Sequence, residues 1–450
     1  PVRQNRSCVS SADQTFGEHS EVAKMRRLPG PPRWDRFAQK TWRDFVRYVA
    51  LAACVGIAVS LTAELLVGGY EDEAKLFFRD SSAVGIYQGD EDGQVDSRLR
   101  WTNFEREELR RNHGVPVVFL EKMRPDMVRR LFNLCVTRAT DGERPQILFA
   151  DVRNGLGNRI RALSSAISFA EDNDMILVVV WEETIHLQAK FHELFVDLNT
   201  VVFVEELPEL WPLAYSRFLA EKDLWHNIDV YNYMHVEQES EKGKLITYKP
   251  GRNIYFRGCE MMNIGNLDEM REKARRAIHQ LRPVPQVQKL VDRLEEQYGA
   301  LSQKVGVHIR GLSVQQEFTG EFDAELEYGS DSLSKMEYWR QRSSYEAFAN
   351  EMKRKIKRSP RIKFFVATDA PEDIKRLTLQ FPGRISHLPQ LQLGSCAGRR
   401  DLECSRMALA DLLALARTKQ VLGSNYSSFS SVVALLSARA FRRAGIEFAA

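Results

Sequence analysis

The sequence predicts an α/β protein whose two Rossmann-like, doubly wound halves face each other across a cleft. Three observations predict this fold class. Short apolar runs typical of strands buried on both faces alternate with amphipathic helical segments. Turns rich in glycine and polar residues directly follow several of these runs. A proline-containing stretch at residues 281–287, LRPVPQV, divides the pattern into two sets of βα signals.

The first half begins with the apolar run ILFAD at residues 147–151. The turn VRNGLGNR follows, then an amphipathic segment at 160–174 and the apolar run MILVVVW at 175–181. Strand, turn, helix and strand in this order predict a parallel βαβ unit with a right-handed crossover. Further strands are expected at residues 201–204 and 253–256.

The turn of this βαβ unit, residues 153–158, is named the glycine loop and is the first candidate binding element. Gly155 and Gly157 can let the backbone approach a ligand closely and can supply positive φ angles. The amides that begin the next helix, beside Asn158, can bind an anion. A tight turn that holds no ligand explains the same residues equally well.

Polar residues follow three predicted strands of the second half. The strands are KVGVHIR (304–310), KFFVATD (363–369) and KQVLG (419–423), and the last leads through SNYSSF into a helix. Ligands of open parallel sheets sit outside the carboxyl ends of the strands, so these ends predict one phosphate and nucleotide pocket. The candidate pocket residues are His308, Arg310, Asp369, Ser427, Ser428 and Phe429.

These candidates suit a nucleoside diphosphate. Arg310 presents a planar fork of donors that can grip a diphosphate in two places. The serine loop (residues 424–429) can hold the other phosphate oxygens through its hydroxyls and the amide of residue 429 at a helix N-terminus. His308 and Asp369 can hydrogen-bond the base or the ribose. Donors aimed at a leaving diphosphate catalyse cleavage of a glycosidic bond electrostatically, with no metal ion required.

Ordinary structural roles compete with each of these functions. A helix N-cap explains the serines, an ion pair with a carboxylate explains Arg310, and packing in the core explains His308. Because the three clusters all fall at strand ends, the binding function is favoured when they are taken together.

Composition excludes other classes of protein. The 450 residues include 64 basic and 61 acidic side chains, a formal net charge of +3, so no nucleic-acid partner is expected. No CxxC motif or His/Cys cluster at zinc spacing occurs, so a structural metal is not expected. The DxD pattern at residues 90–92 follows no apolar strand and is interpreted as a solvated loop.

An apolar run at residues 48–69 predicts a transmembrane signal-anchor. Basic residues precede it and three acidic residues follow it, which predicts a cytoplasmic N-terminus and a luminal catalytic part. Glu64 is costly in the span unless it lies near the outer edge. A buried helix of a soluble protein is the alternative. The expected organisation is a tail (1–47), the anchor (48–69), a polar stem with helices near 104–112 and 125–138 (70–145), a first domain (146–284) and a nucleotide-binding domain (285–450).

This topology places four cysteines in an oxidising lumen, where disulfides are permitted. Cys396 and Cys404 flank a short stretch and are expected to pair with each other. Four reduced thiols, including Cys135 and Cys259, are the alternative, because the sequence cannot choose among three pairings.

The motifs VGVHIRG, FFVATD and DLLALARTKQVLGSNYSSFS resemble the signature regions of a fucosyltransferase superfamily. It includes α-1,6-fucosyltransferases, nodulation fucosyltransferases and protein O-fucosyltransferases, and RNGLGNRIRAL resembles the glycine loop of several branches. The resemblance spans about residues 147–436. It implies a GT-B fold with an acceptor-side first domain, GDP-fucose as donor, inversion, and no required metal or cofactor. Together with the predicted anchor, it leads to the expectation of a Golgi or ER membrane location.

Carried over to this sequence, the family's essential arginine corresponds to Arg310 and its nucleotide-contacting histidine to His308. Its ATD aspartate corresponds to Asp369, and the asparagine of its glycine loop to Asn158. Its phosphate-binding serine loop corresponds to Ser427, Ser428 and Phe429.

The residues after Arg310 depart from the family pattern. Gly311-Leu312-Ser313-Val314 stands where the α-1,6 branch has a second arginine and an Asp-Lys pair, so the subfamily and the acceptor stay open. Glu317 is the first candidate for the catalytic base, ahead of Glu321 and Asp323, and a solvated acidic loop is the alternative. Two other functions stay open: transfer from another nucleotide sugar, and an inactive sugar-binding or scaffolding relative.

Overall fold

The structure, a computed structural model, describes residues 97–139, 144–206, 227–234, 241–317, 324, 328–388, 396, 398–437 and 439–448. All of them belong to one compact unit, Val95–Ala450. The predicted tail, signal-anchor and DxD loop lie outside the described residues. Among the helices of the described ranges, none combines the length and the apolar character needed to cross a membrane.

Five parallel strands form the first sheet, in the order β3-β2-β1-β5-β4. Every residue of β1, β2 and β3 is buried, as the apolar runs predict for strands covered on both faces. The first half comprises α1 (Ser97–His113), α2 (Val117–Lys122), α3 (Pro125–Arg138), β1 (Ile147–Val152), α4 (Leu156–Asp172), β2 (Ile176–Val180), α5 (Phe191–Leu194), β3 (Val201–Val204), β4 (Ile228–Asn232), β5 (Asn253–Gly258) and α6 (Leu267–Ile278).

Helices α1 to α3 cover one face of this sheet. Leu109, Phe119 and Leu131 are fully buried, and the ring of Phe119 stacks on Phe149 of β1 at 4.8 Å. The two helices expected in this region are present, but the prediction that residues 97–138 belong to a polar stem is wrong. Apolar residues at helical spacing bury against the sheet and make this segment part of the first domain.

The second sheet is also parallel, in the order β10-β9-β6-β7-β8. Strands β6, β7 and β9 occupy the three predicted segments, whereas β8 and β10 were not predicted. The second half comprises α7 (Pro285–Tyr298), β6 (Val305–Ile309), α8 (Val314–Glu317), α9 (Ser330–Arg342), α10 (Tyr345–Arg358), β7 (Phe364–Thr368), α11 (Pro371–Gln380), β8 (Ile385–Ser386), α12 (Leu402–Arg417), β9 (Gln420–Gly423), α13 (Ser428–Leu436) and β10 (Ala440–Arg443).

One apolar cluster connects the two halves. It runs from Leu163 of α4 and Ala274 of α6 through Val291 of α7 to Leu412 of α12 and Val433 of α13. The predicted disulfide between Cys396 and Cys404 is present in the second half. Cys135 and Cys259 are buried free thiols.

Each sheet has a point where the strand order reverses, between β1 and β5 in the first and between β6 and β9 in the second. Ligands of doubly wound sheets bind at these points, outside the carboxyl ends of the strands. The helices that follow β1 and β9, α4 and α13, pack on each other. The carboxyl edges of the two sheets therefore meet, which agrees with the predicted pair of Rossmann-like halves.

Candidate functional site

Arg310 follows the last residue of β6 and is tied to the end of β9. Its backbone N–H donates to the hydroxyl of Ser424 at 2.9 Å. Ser424 is itself buried, and its amide and hydroxyl donate to the carbonyl of His308 at 3.0 and 3.2 Å. The ends of the two strands at the reversal point are therefore held in one fixed arrangement.

The side chain of Arg310 is oriented by Asp369, which follows β7. Nη1 of Arg310 lies 2.7 Å from Oδ2 of Asp369. The other carboxylate oxygen, Oδ1, accepts hydrogen bonds from the amides of Gly311 at 2.7 Å and Leu312 at 3.2 Å. Asp369 thus positions both the guanidinium and the backbone after it. Its predicted contact with base or ribose stays a prediction.

His308 is a packed histidine on the β9 side of β6. Its Nδ1 lies 2.7 Å from the hydroxyl of Ser430, and its ring stacks on Phe429 at 4.6 Å. Burial, with a smaller contribution from the charge of Arg310, lowers the pKa of His308 to about 3, so the imidazole is neutral. Packing therefore occupies Nδ1 and one face of the ring, as the structural alternative proposed. The predicted contact with a nucleotide would have to use the other ring nitrogen, Nε2.

The serine loop leads directly into α13. Ser427 is the N-cap residue, and its hydroxyl accepts a hydrogen bond from the amide of Ser430 at 3.4 Å. Ser428 is the first helical residue. Tyr426 holds a positive φ of 51° and leaves 49% of its surface exposed, an uncommon conformation for an aromatic residue. The loop thus combines a helix N-terminus, two hydroxyls and an exposed ring beside Arg310's strand.

The glycine loop differs from the prediction in how its glycines are used. The positive φ, 66°, belongs to Asn154, whereas Gly155 has an ordinary φ of −72°. Gly157 lies against α13: a Cβ there would be 2.8 Å from the amide nitrogen of Phe429 and 2.9 Å from the carbonyl carbon of Ser428. Because Gly157 has no side chain, helices α4 and α13 can come into contact here. The structure thus shows a close approach between two helices at Gly157, whereas the sequence analysis expected a close approach to a ligand.

Asn158 lies in the first turn of α4 and connects to the end of β5 through Arg161. Its Oδ1 accepts a hydrogen bond from Nη2 of Arg161 at 3.0 Å, and Nε of Arg161 donates to the carbonyl of Cys259 at 2.8 Å. Direct binding of a nucleotide sugar by Gly155, Gly157 or Asn158 stays a prediction.

A buried network of charged groups at the first reversal point was not predicted. Asp151 of β1 is fully buried and accepts hydrogen bonds from Tyr255 at 2.7 Å, Arg257 at 2.7 Å and Arg153 at 3.0 Å. Burial by itself favours the neutral acid, but the charges of Arg153 and Arg257 outweigh it and lower the pKa of Asp151. Polar residues inside two apolar strands were the signal in the sequence.

Arg159 of α4 fastens the glycine loop from behind. It is fully buried, and its Nε donates to the carbonyl of Asn154 at 2.7 Å while Nη2 donates to Thr184 at 3.0 Å. Burial, reinforced by the charge of Arg153, lowers the pKa of Arg159 to about 9. The guanidinium, held by neutral acceptors, fixes the positive-φ turn at Asn154 against the segment that follows β2.

A second buried carboxyl group, Asp411, lies in the apolar helix α12. Its Oδ1 has no hydrogen-bond partner, and burial raises its pKa well above the ordinary value. The sequence signal was a single acidic residue in the run ALADLLALA. Burial without a hydrogen-bond partner at this oxygen favours the neutral acid over the carboxylate.

The predicted base is not tested by the structure. Glu317 is the last residue of α8, and its side chain lies outside the described part, as do Glu321 and Asp323. Among the side chains that are described, no three His, Cys, Asp or Glu residues converge on a possible metal site.

Comparison with solved structures finds fucosyltransferases. NodZ from Bradyrhizobium is 18% identical, with 65% of this chain and 94% of NodZ covered and a TM-score of 0.38. POFUT1 in complex with GDP is 14% identical (68% and 100% covered, TM-score 0.40). A variant of Arabidopsis thaliana FUT1 with GDP is 16% identical (80% of each chain, TM-score 0.42). No protein-family model and no curated protein matches the chain.

Proposed function

We propose that this chain transfers fucose from GDP-fucose to a hydroxyl of a glycan or glycoprotein, with inversion at the anomeric carbon and no required metal ion. One observation carries the proposal. The segments that resemble the fucosyltransferase signatures form three adjacent strands, β9, β6 and β7. At the end of β6, Arg310 is held by a hydrogen bond to Ser424 after β9 and by an ion pair with Asp369 after β7. Neighbouring strand ends form the binding crevice of a doubly wound sheet.

The arrangement suits departure of a diphosphate. Negative charge builds on the phosphate oxygens as the bond to the sugar breaks, and donors already in place stabilise it without reorganisation. Arg310 supplies a guanidinium held in position by Asp369 at 2.7 Å. The N-terminus of α13 adds partial positive charge and the hydroxyls of Ser427 and Ser428.

The assignment of guanine as the base and fucose as the sugar rests on the motif resemblance, because binding of the phosphates alone does not select a sugar. Inversion follows if the acceptor oxygen attacks the face opposite the diphosphate in one displacement. The displaced electron pair then stays on GDP, where Arg310 is positioned to stabilise it.

The chain is further proposed to be a single-pass Golgi or ER membrane protein with a luminal catalytic part. The apolar sequence at residues 48–69 and its charged flanks support this location. The disulfide between Cys396 and Cys404 also supports an oxidising compartment.

The first experiment measures thermal stabilisation of the full chain in detergent by GDP, GDP-fucose, UDP and ADP, each with and without EDTA. A ligand that binds only the folded state raises Tm by mass action. Stabilisation by GDP and GDP-fucose alone, unaffected by EDTA, is expected. Stabilisation by UDP instead would assign another donor sugar, and a folded protein stabilised by no nucleotide would indicate a scaffolding relative.

The second experiment tests the arginine with a matched pair of variants. Arg310→Lys keeps the charge but removes the planar fork, and should slow GDP release from GDP-fucose by about 10²–10³-fold. Arg417→Lys is the control. Arg417 lies in the last turn of α12, before the opposite end of β9, and pairs with Glu295. Equal rates for the two variants would contradict the assigned role.

A further inference from the structure

The residue after Arg310 is flanked by two carboxylates in different environments. Asp369 binds the amide of Gly311, as described above. On the other side, a Cβ built on Gly311 would lie 2.7 Å from Oδ2 of Asp373, a residue in the first turn of α11, and 2.7 Å from Cβ of Ala370. Glycine is therefore required at position 311, because α11 occupies the space where a side chain would be.

This packing explains a departure from the family pattern. The arginine that follows the essential arginine in the α-1,6 branch cannot fit at position 311, since its Cβ would overlap Ala370 and the carboxylate of Asp373. In this chain the carboxylate of Asp373 lies where a side chain at position 311 would begin.

The two carboxylates differ in what they can do. Both oxygens of Asp369 are engaged, one by Arg310 and one by two amides. The carboxylate of Asp373 makes no hydrogen bond to any described residue, and Nη1 of Arg376 is 3.9 Å from Oδ1. Its side chain keeps 11% of its surface exposed, next to the exposed backbone of Gly311. Asp373 is thus a largely buried carboxylate whose oxygens accept no hydrogen bond within the described part of the chain and whose ion pair with Arg376 is long.

The surroundings of Asp373 also adjust its basicity. Burial raises its pKa to about 6; Arg376 on the same helix opposes this, whereas Asp369, Glu346 of α10 and Glu372 add to it. Tyr345 of α10 also faces the group. A carboxylate that titrates near the working pH is suited to general base catalysis.

We propose that Asp373 is the base that accepts the proton of the acceptor hydroxyl, in place of Glu317. This inference rests on the proposed function. The acceptor oxygen bonds to the anomeric carbon, and the bond from that carbon to the diphosphate oxygen breaks with its electron pair leaving on GDP. The hydroxyl proton passes to the carboxylate of Asp373, which later releases it to water.

The test uses the full chain in detergent, with water as the acceptor and GDP release from GDP-fucose as the readout. Asp373→Asn should lower kcat by about 10²–10⁴-fold, the range for loss of a general base, while the Kd for GDP changes less than twofold. The wild-type rate should fall as the pH drops below about 6, and this acid limb should be absent in the variant. Asp373→Glu should restore part of the rate.

Glu372→Gln is the matched control, since this neighbouring acid is 75% exposed and pairs with Lys375. It should leave kcat at its plateau unchanged and keep the acid limb, moved slightly to lower pH because the charge of Glu372 adds to the pKa of Asp373. An Asp373→Asn variant that keeps the wild-type kcat and acid limb would overturn the inference and leave the proposed function intact. A wild-type chain that neither binds GDP nor releases it from GDP-fucose would instead count against the proposed function.

Discussion

Replacing Gly157 with alanine tests the contact on which the geometry of the site depends. The new Cβ would lie 2.8 Å from the amide nitrogen of Phe429, whereas ordinary contacts begin at 3.4 Å. Helices α4 and α13 must therefore separate locally by about 0.6 Å, the difference between these two distances. Both obstructing atoms belong to the backbone, so a change of rotamer cannot relieve the overlap.

The size of the effect follows from packing. Overpacking of this kind costs about 1–3 kcal/mol, and the lower entropy of an alanine-containing unfolded chain offsets about 0.4–1 kcal/mol. A net loss on the order of 1–2 kcal/mol is expected. Because a misplacement of about 1 Å can cost about 10²-fold in rate, the displaced serine loop should slow GDP release by roughly 10-fold or more.

Gly155→Ala is the matched control in the same loop. Its Cβ would meet only the carbonyl of His186, at an ordinary 3.7 Å, and its φ of −72° suits alanine. Urea denaturation and GDP-release kinetics of the two variants separate the outcomes. If Gly157→Ala were as stable and as active as Gly155→Ala, the contact between α4 and α13 could not have the described geometry.

Three further predictions concern stability. Burial raises the pKa of Asp411, so the folded state opposes ionisation of this carboxyl. Ionisation therefore destabilises the folded state as the pH rises above about 4, the pKa of an unfolded aspartate. Asp411→Asn should raise Tm at pH 8 and barely change it at pH 4. An unchanged or lowered Tm at pH 8 would contradict this. Burial lowers the pKa of His308 to about 3, so the contribution of this residue to stability is complete above about pH 6.5 and falls as the pH drops toward 3. In urea denaturation, His308→Gln should lose less free energy of unfolding between pH 6.5 and 4 than the wild type. Serine at both Cys396 and Cys404 should lower the free energy of unfolding by about 2–3 kcal/mol, the entropy of the loop closed by their separation of 8 residues, and an unchanged urea midpoint would rule this out.

The strands that could be predicted are those whose burial appears in the local sequence. Runs such as ILFAD and KVGVHIR are apolar on both faces because helices cover the sheets from both sides. The short strand β8 has two residues, and β10 is a partly exposed edge strand with the sequence AFRR, so neither shows an apolar run. Strand β4 mixes buried and half-buried residues.

The site was predictable in position but not in its contacts. Strand ends locate Arg310, Asp369 and the serine loop, because parallel strands bring their carboxyl ends to one edge. What each side chain contacts depends on residues far apart in the chain. Gly157 meets Phe429, and Gly311 meets Asp373, only after both sheets have formed. Local patterns contain no information about such pairs, so the sequence pointed to Glu317 and not to Asp373 as the candidate base.

The apolar cluster shared by the two halves bears on how such a chain could be recombined. Cutting at the prolines near residue 284 would leave Leu163 and Ala274 without the partners that Leu412 and Val433 provide. Each separated half would carry a large water-exposed apolar face and would tend to aggregate. A chimera that exchanges one half for that of another protein of this fold should therefore fold only when the helices on both sides of this cluster come from the same parent.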